Sequence, residues 1–157
     1  MNNEGNNLPQ IIGYEISGTN RESVLREMAR YLESKGLVKP TYAQSVVDRE
    51  NTYPTGIPSE PIAVAIPHSE RGDVLKTAVL IGRKKGSGII FRRIDDPDIE
   101  VNAEVIFMLA VDSNQGQLDT ISKIMELIQD SKLIETITKA DTTEIIETLV
   151  SHAFLNE

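Results

Sequence analysis

Two histidines and no cysteine stand in a chain of 157 residues, so few side chains can accept or pass on a chemical group near neutral pH. His68 is the better placed of the two. It follows the apolar run Ile62 to Ile66 directly after Pro67, in the stretch IAVAIPHSE. A neutral imidazole keeps a lone pair on one ring nitrogen while the other donates a hydrogen bond, which equips it to attack an electrophile. Pro67 has a fixed φ and restricts Ile66 to extended conformations, so the chain is stiff where the next side chain must be aimed. On pattern alone a loop histidine that only satisfies nearby backbone is the somewhat favoured reading.

A phosphoryl group is an electrophile that such a nitrogen can carry, and once bound it adds a dianion that needs cationic or N–H donors nearby. Arg49 is the first candidate donor, because it precedes the proline turn YPTGIPSEP that feeds the strand before His68. It also suits the C-terminal end of a helix, where a cation faces the helix dipole, and spacing leaves both roles open. Gln117, in DSNQGQL ahead of an apolar-periodic run, offers an amide near a helix N-terminus. Asn114 and Gln117 also have the spacing of a capping box, which would use the same region to close the helix. His152 falls in the last turn of the final helical segment and reads as structural.

Other chemistries fit poorly. KKGSGI has glycines but neither the G-x-G-x-x-G pattern nor the Lys-Ser/Thr of a phosphate loop. Neither histidine has a neighbour at metal-ligand spacing, so no metal or other cofactor is expected. With no cysteine, a thiol reactant must come from another chain or domain. The 24 acidic and 16 basic residues leave a net charge of −8, which opposes the phosphate neutralisation on which nucleic-acid binding depends. The longest apolar run, Val105 to Val111, is far short of the ~20 residues that span a bilayer. The opening MNNEGNNLPQ lacks the basic and apolar regions of a secretory signal, so a cytoplasmic location is expected.

These residues need a frame. Residues 1–10 read as a flexible N-terminal tail and 11–157 as a single domain. TNRESVLREMARYLESKG places Val24, Leu25, Met28 and Leu32 on one helical face, with Thr19 and Glu22 spaced as a capping box and Gly36 as a stop. A second helix runs through TYAQSVVDREN, with Glu50 on the same periodic face as Val46 and Val47. IAVAI reads as a strand buried on both faces, TAVLIGR and GSGIIF as a hairpin, and Val101–Val111 as the central strand. Helices follow over Leu118, Ile121, Met125 and Ile128, around Leu133–Ile137, and after Asp141 and Glu144 as a cap. The pattern predicts an α/β domain with a mixed, mostly parallel sheet flanked by helices on both faces. In such a sheet ligand groups gather outside the carboxyl ends of strands, which is where His68 falls.

The combination RENTYPTGI, IAVAIPHSE, VIFMLAVDSNQGQL and ISKIMELI resembles the enzyme IIA component of the sugar phosphotransferase system, of the fructose and mannitol class and most like its galactitol type. The resemblance runs from about Ile11 to Val150, and the threonine-glycine turn leading to a strand and Pro-His is its most specific part. It implies that Nε2 of His68 takes a phosphoryl group from the phosphocarrier HPr and gives it to a cysteine of a IIB component, with Arg49 holding the group. Membrane IIC would then be an indirect partner. Many mannitol-type relatives carry a second histidine where this chain has Gln117, so an amide replaces a titratable ring there. A regulatory IIA-like protein, whose phosphorylation state controls a binding partner, is the alternative.

Overall fold

The structure, a computed structural model, describes residues 8–69 and 71–155. Of the tail expected over residues 1–10, residues 1–7 lie outside this range, and Gln10 already belongs to a strand. Six strands, β1 (Gln10–Glu15), β2 (Gly56–Ile57), β3 (Ala63–Ala65), β4 (Ala78–Arg83), β5 (Ile89–Arg92) and β6 (Glu100–Ala110), form one sheet in the order β1-β4-β6-β3-β2, with β5 also on β6. Helices α1 (Arg21–Ser34) and α2 (Tyr42–Thr52) precede β2, and α3 (Asn114–Leu127), α4 (Ser131–Lys139) and α5 (Thr143–Leu155) follow β6.

Strand alternation divides the core in two. Leu80, Ile106 and Met108 pack with Leu25, Met28 and Leu32 of α1 and with Val46 and Val47 of α2. Their neighbours Val79, Ile81, Phe107 and Leu109 pack with Ile124 of α3, Ile137 of α4 and Ile146 of α5. Successive side chains of a strand point to opposite faces, so helices cover both faces, as expected.

The sheet is mixed but not mostly parallel. Only β1–β4 and β3–β6 are parallel, against the antiparallel pairs β4–β6, β2–β3 and β5–β6. A parallel pair needs a crossover, and no helix separates β4 from β6, so β6 returns antiparallel. The expected β4–β5 hairpin is also absent. Both strands run antiparallel to β6, with Arg83 opposite Val105 and Ile89 opposite Ala103. Ala103 has Ala63 of β3 on its other side, so β5 continues β4 along one edge of β6. The turn at Lys84–Ser87, with Gly86 at φ 78°, loops out and lets the chain resume its direction. An 11-residue β6 outlasts the 6-residue β4, and its remaining edge groups take up β5.

Helix starts differ by one residue from expectation. Asn20, not Thr19, caps α1 by accepting the Ser23 N–H. Thr142, not Asp141, accepts the Ile145 N–H at the start of α5. Gly36, at φ 75°, does stop α1. The apolar stripe read on α3 is split: Leu118 is 61 % and Met125 38 % exposed and Ile121 is half-buried, while Ile128 is buried together with Thr120, Ile124 and Leu127. Likewise Ile146, Val150 and Phe154 form the buried face of α5, leaving His152 exposed in its last turn.

Candidate active site

Pro67 has no N–H to give a ladder, and the β3–β6 pairing breaks there. It resumes one residue later, where the Leu109 N–H donates to Pro67 O at 2.9 Å and His68 pairs with Leu109 in the parallel sense. His68 therefore sits at the carboxyl end of the parallel strand pair β3–β6. The Tyr42 hydroxyl donates to the carbonyl of the same Leu109 at 2.5 Å. Tyr42 is fully buried, and burial pushes its phenol well above the usual range, so it stays a donor. It begins α2, the helix that carries Arg49, and so ties that helix to the backbone beside His68.

His68 is 7 % exposed, and its Nδ1 lies 2.8 Å from the carbonyl oxygen of Ile66. A carbonyl only accepts, so Nδ1 carries the hydrogen and donates it, and in the neutral ring Nε2 then holds the lone pair. The ring forms part of a cleft of about 420 Å³. Arg49, Tyr53 and Thr55 line one side, from the end of α2 and the turn after it; Ile94 and Pro97 line another, with Ile121 from α3.

Arg49 is placed by its helix. It lies in the last turn of α2, and its carbonyl accepts the Tyr53 N–H at 2.6 Å. Its guanidinium stands 5.2 Å from the centre of the Tyr53 ring, a cation–π contact that holds the planar fork at the cleft. Arg49 is thus a cation near a helix C-terminus that also borders the cleft containing His68.

Gln117 is less directly placed. It is not among the cleft residues, but it precedes Ile121, which is, by one helical turn on the same face. Its Oε1 is buried with no hydrogen-bond partner among the described residues. The capping box with Asn114 is not formed; Ser113 caps α3 by accepting the Gly116 N–H at 3.0 Å. Of the two carboxylates near His68 in sequence, Glu70 lies outside the described residues, and Asp73 accepts the Thr41 hydroxyl at 2.6 Å. Among the described residues no cluster of three or more His, Cys, Asp or Glu is placed to hold a metal ion.

The sequence reading passed over a layer behind the imidazole. Residues 56–57, expected to be loop, pair as β2 with β3, which sets Thr55 beside Ile66. The Ile66 N–H meets both the carbonyl oxygen and Oγ1 of Thr55, each at 3.3 Å. Thr55 in turn donates its N–H and its hydroxyl to the buried carboxylate of Glu50, at 2.7 and 2.8 Å. Gly56 is needed for close approach: a Cβ there would lie 2.6 Å from the Arg92 carbonyl oxygen. The Ile94 N–H donates to Gly56 O at 2.8 Å, which draws Ile94 toward the cleft wall. The signal for this layer was a carboxylate on the apolar face of α2, followed five residues later by a threonine.

Solved structures share this fold. The mannitol enzyme IIA of Escherichia coli, in its complex with phosphorylated enzyme IIB, matches with a TM-score of 0.73 at 22 % identity, over 91 % of this chain and 94 % of that one. The nitrogen regulatory protein IIA-Ntr of Neisseria meningitidis matches with a TM-score of 0.65 at 20 % identity, over 92 % of this chain and 97 % of that one. The architecture is therefore that of a mannitol-type IIA domain. Residues 9–153 match the family model described as phosphoenolpyruvate-dependent sugar phosphotransferase system, EIIA 2, and the chain belongs to that family. The galactitol-specific EIIA component of Escherichia coli K12 is 30 % identical over 132 residues, 84 % of this chain and 87 % of that protein. The mannitol-specific EIICBA component of the same organism is 29 % identical over 132 residues, 82 % of this chain and 19 % of that longer protein. Among the described residues no helix is long and apolar enough to cross a membrane.

Proposed function

We propose that this phosphotransferase component is a phosphoryl carrier in sugar uptake: His68 accepts the group from phospho-HPr and passes it to a cysteine of a IIB component. The observation that carries this reading is the hydrogen bond from Nδ1 of His68 to Ile66 O, which leaves the nucleophilic lone pair on Nε2. In the first step Nε2 attacks phosphorus as the P–N bond to the HPr histidine breaks. In the second, a IIB thiolate attacks the same phosphorus, a P–S bond forms, and the electron pair returns to Nε2. The proton on Nδ1 stays with the Ile66 carbonyl throughout, so acid–base work on this chain is small and catalysis rests on alignment and charge.

Arg49 is assigned to the equatorial phosphoryl oxygens, because it supplies the guanidinium at the cleft that contains His68. Gln117 is assigned as a secondary amide donor, reaching from one turn before Ile121. The exposed Leu118 and Met125 of α3, with the exposed Tyr53 and Ile94 near the cleft, suit protein partners that dock over the imidazole. The relative that acts with galactitol supports that polyol as the sugar, with the membrane IIC component downstream and the chain working in the cytoplasm. Incubation with phosphoenolpyruvate, enzyme I and HPr tests the reading. An acid-labile adduct that moves on to a IIB cysteine is expected, and none should form with His68→Ala. A chain that stays unmodified would refute it.

A further inference from the structure

The chain of hydrogen bonds behind His68 ends on a buried carboxyl group. Glu50 is 3 % and Thr55 4 % exposed. Each link has a forced direction. An ionised carboxylate only accepts, so the Thr55 hydroxyl must donate to Glu50, at 2.8 Å, and turn a lone pair toward the Ile66 N–H. The Thr55 N–H, 2.7 Å from the other carboxylate oxygen, pins the same residue a second time. With its N–H held, the Ile66 residue presents its carbonyl to Nδ1 of His68 at 2.8 Å. We propose that Glu50 is a positioning residue for phosphoryl transfer: acting through Thr55 and Ile66, it holds His68 in the tautomer whose lone pair is on Nε2. The proposal rests on the reading of His68 as phosphoryl acceptor.

The choice of a carboxylate supports it. Burial raises the Glu50 carboxyl above its ordinary range, against the opposing pull of the Thr55 hydrogen bonds and of Arg21 and Arg49, so ionising this group in place is costly. A glutamine would fill the same space without that cost, but it offers one acceptor oxygen for two Thr55 donors, and its NH₂ would turn the Thr55 hydroxyl from donor to acceptor. A residue serving only the stability of the turn has little need of the charge. One that must keep the Thr55 hydroxyl a donor, so that its lone pair stays on the Ile66 N–H, does need it, because a carboxylate cannot reverse its role as a glutamine can by rotating.

Imidazole ¹⁵N spectra of the unphosphorylated protein, together with the rate of phosphoryl acceptance from phospho-HPr, test the proposal in Glu50→Gln, Thr55→Val and Thr55→Ser. In the parent protein His68 should occupy the Nδ1–H tautomer alone. Glu50→Gln and Thr55→Val should each give a mixture of tautomers and a roughly tenfold slower acceptance. Thr55→Ser, which keeps the hydroxyl, should restore both readouts. If the first two variants keep the single tautomer and the parent rate, Glu50 only closes the turn and the proposal is wrong. Because the spectra need no phosphoryl donor, they judge the relay even if the parent protein proves inert toward phospho-HPr. That result would refute the acceptor reading, while a shift in tautomer would still assign Glu50 its hold on the ring.

Discussion

At the scale of single residues, the site uses few groups because the reaction asks for little beyond a lone pair and charge stabilisation. On the proposed reading Arg49 contributes the charge. A charge-assisted hydrogen bond contributes about 1.5–3 kcal/mol, so Arg49→Ala should slow phosphoryl transfer roughly ten- to a hundredfold. The contact with exposed Tyr53 is worth only about 0.5–1 kcal/mol, but the Arg49 charge also favours the ionised form of buried Glu50, so the slowing should be read well below the variant's own melting midpoint, where it should persist. Glu50 sets a different signature. Its carboxyl is raised by burial first, despite Thr55 and the cations Arg21 and Arg49, so between the unfolded and folded values the native chain binds more protons than the unfolded one. Stability should therefore fall as pH rises from the ordinary glutamate range through the raised value. Denaturant titrations across that window should show the fall in the parent protein and its absence in Glu50→Gln. His68 and Arg49 were legible because Pro67 and the end of α2 constrain them locally. Glu50 was not, since its partner Thr55 meets Ile66 only through the register of β2 on β3.

At the scale of elements, the site is a meeting of ends: the carboxyl end of β3, the last turn of α2, and the first half of α3. Periodicity located these elements but not the side they bury. On α3 the row Leu118, Ile121, Met125 is as regular as the row Thr120, Ile124, Leu127, and only packing against the sheet shows that the second is inside. A threonine in the buried row hid it from a reading based on apolar residues. The first row then becomes informative, because Leu118 and Met125 are exposed and the half-buried Ile121 between them borders the cleft of His68. Leu118→Asp should raise the concentration of phospho-HPr needed for half-maximal transfer several-fold, with the denaturation midpoint unchanged; loss of stability instead would mean the row is packed. The strand β1 escaped the sequence reading for another reason. QIIGYE is short, with a glycine at its centre, and it is held by parallel pairing to β4 and by the Gly13 N–H donating to Glu147 of α5 at 2.9 Å.

At the scale of the whole molecule, the sheet has a working end and an anchoring end. His68 lies beside Leu109, near the carboxyl end of β6, whereas Arg83 pairs with Val105 toward the other end. Arg83 is 1 % exposed, and it joins three elements. Its Nε donates to Glu15 of β1 at 2.9 Å, and its Nη1 donates to the carbonyls of Ile137 and Thr138 in the last turn of α4, at 2.8 and 3.2 Å. Arg83→Ala would leave a cavity and unpaired carbonyls, at a cost of roughly 2–4 kcal/mol. Denaturation should report that loss, while the transfer rate at low temperature should hold, since the residue is remote from the cleft. The α/β class and the two covered faces were legible from alternating apolar runs. The balance of parallel and antiparallel pairs was not, because it depends on which strand edge β5 finds after the Lys84–Ser87 turn.

The account stands on which nitrogen of one ring carries the lone pair. Phosphorylating the ¹⁵N-labelled chain through enzyme I and HPr, and reading the site of the P–N bond by NMR, tests it most directly. The account predicts a phosphoryl group on Nε2 of His68, with the hydrogen still on Nδ1. An adduct on Nδ1, or none on His68, would contradict it.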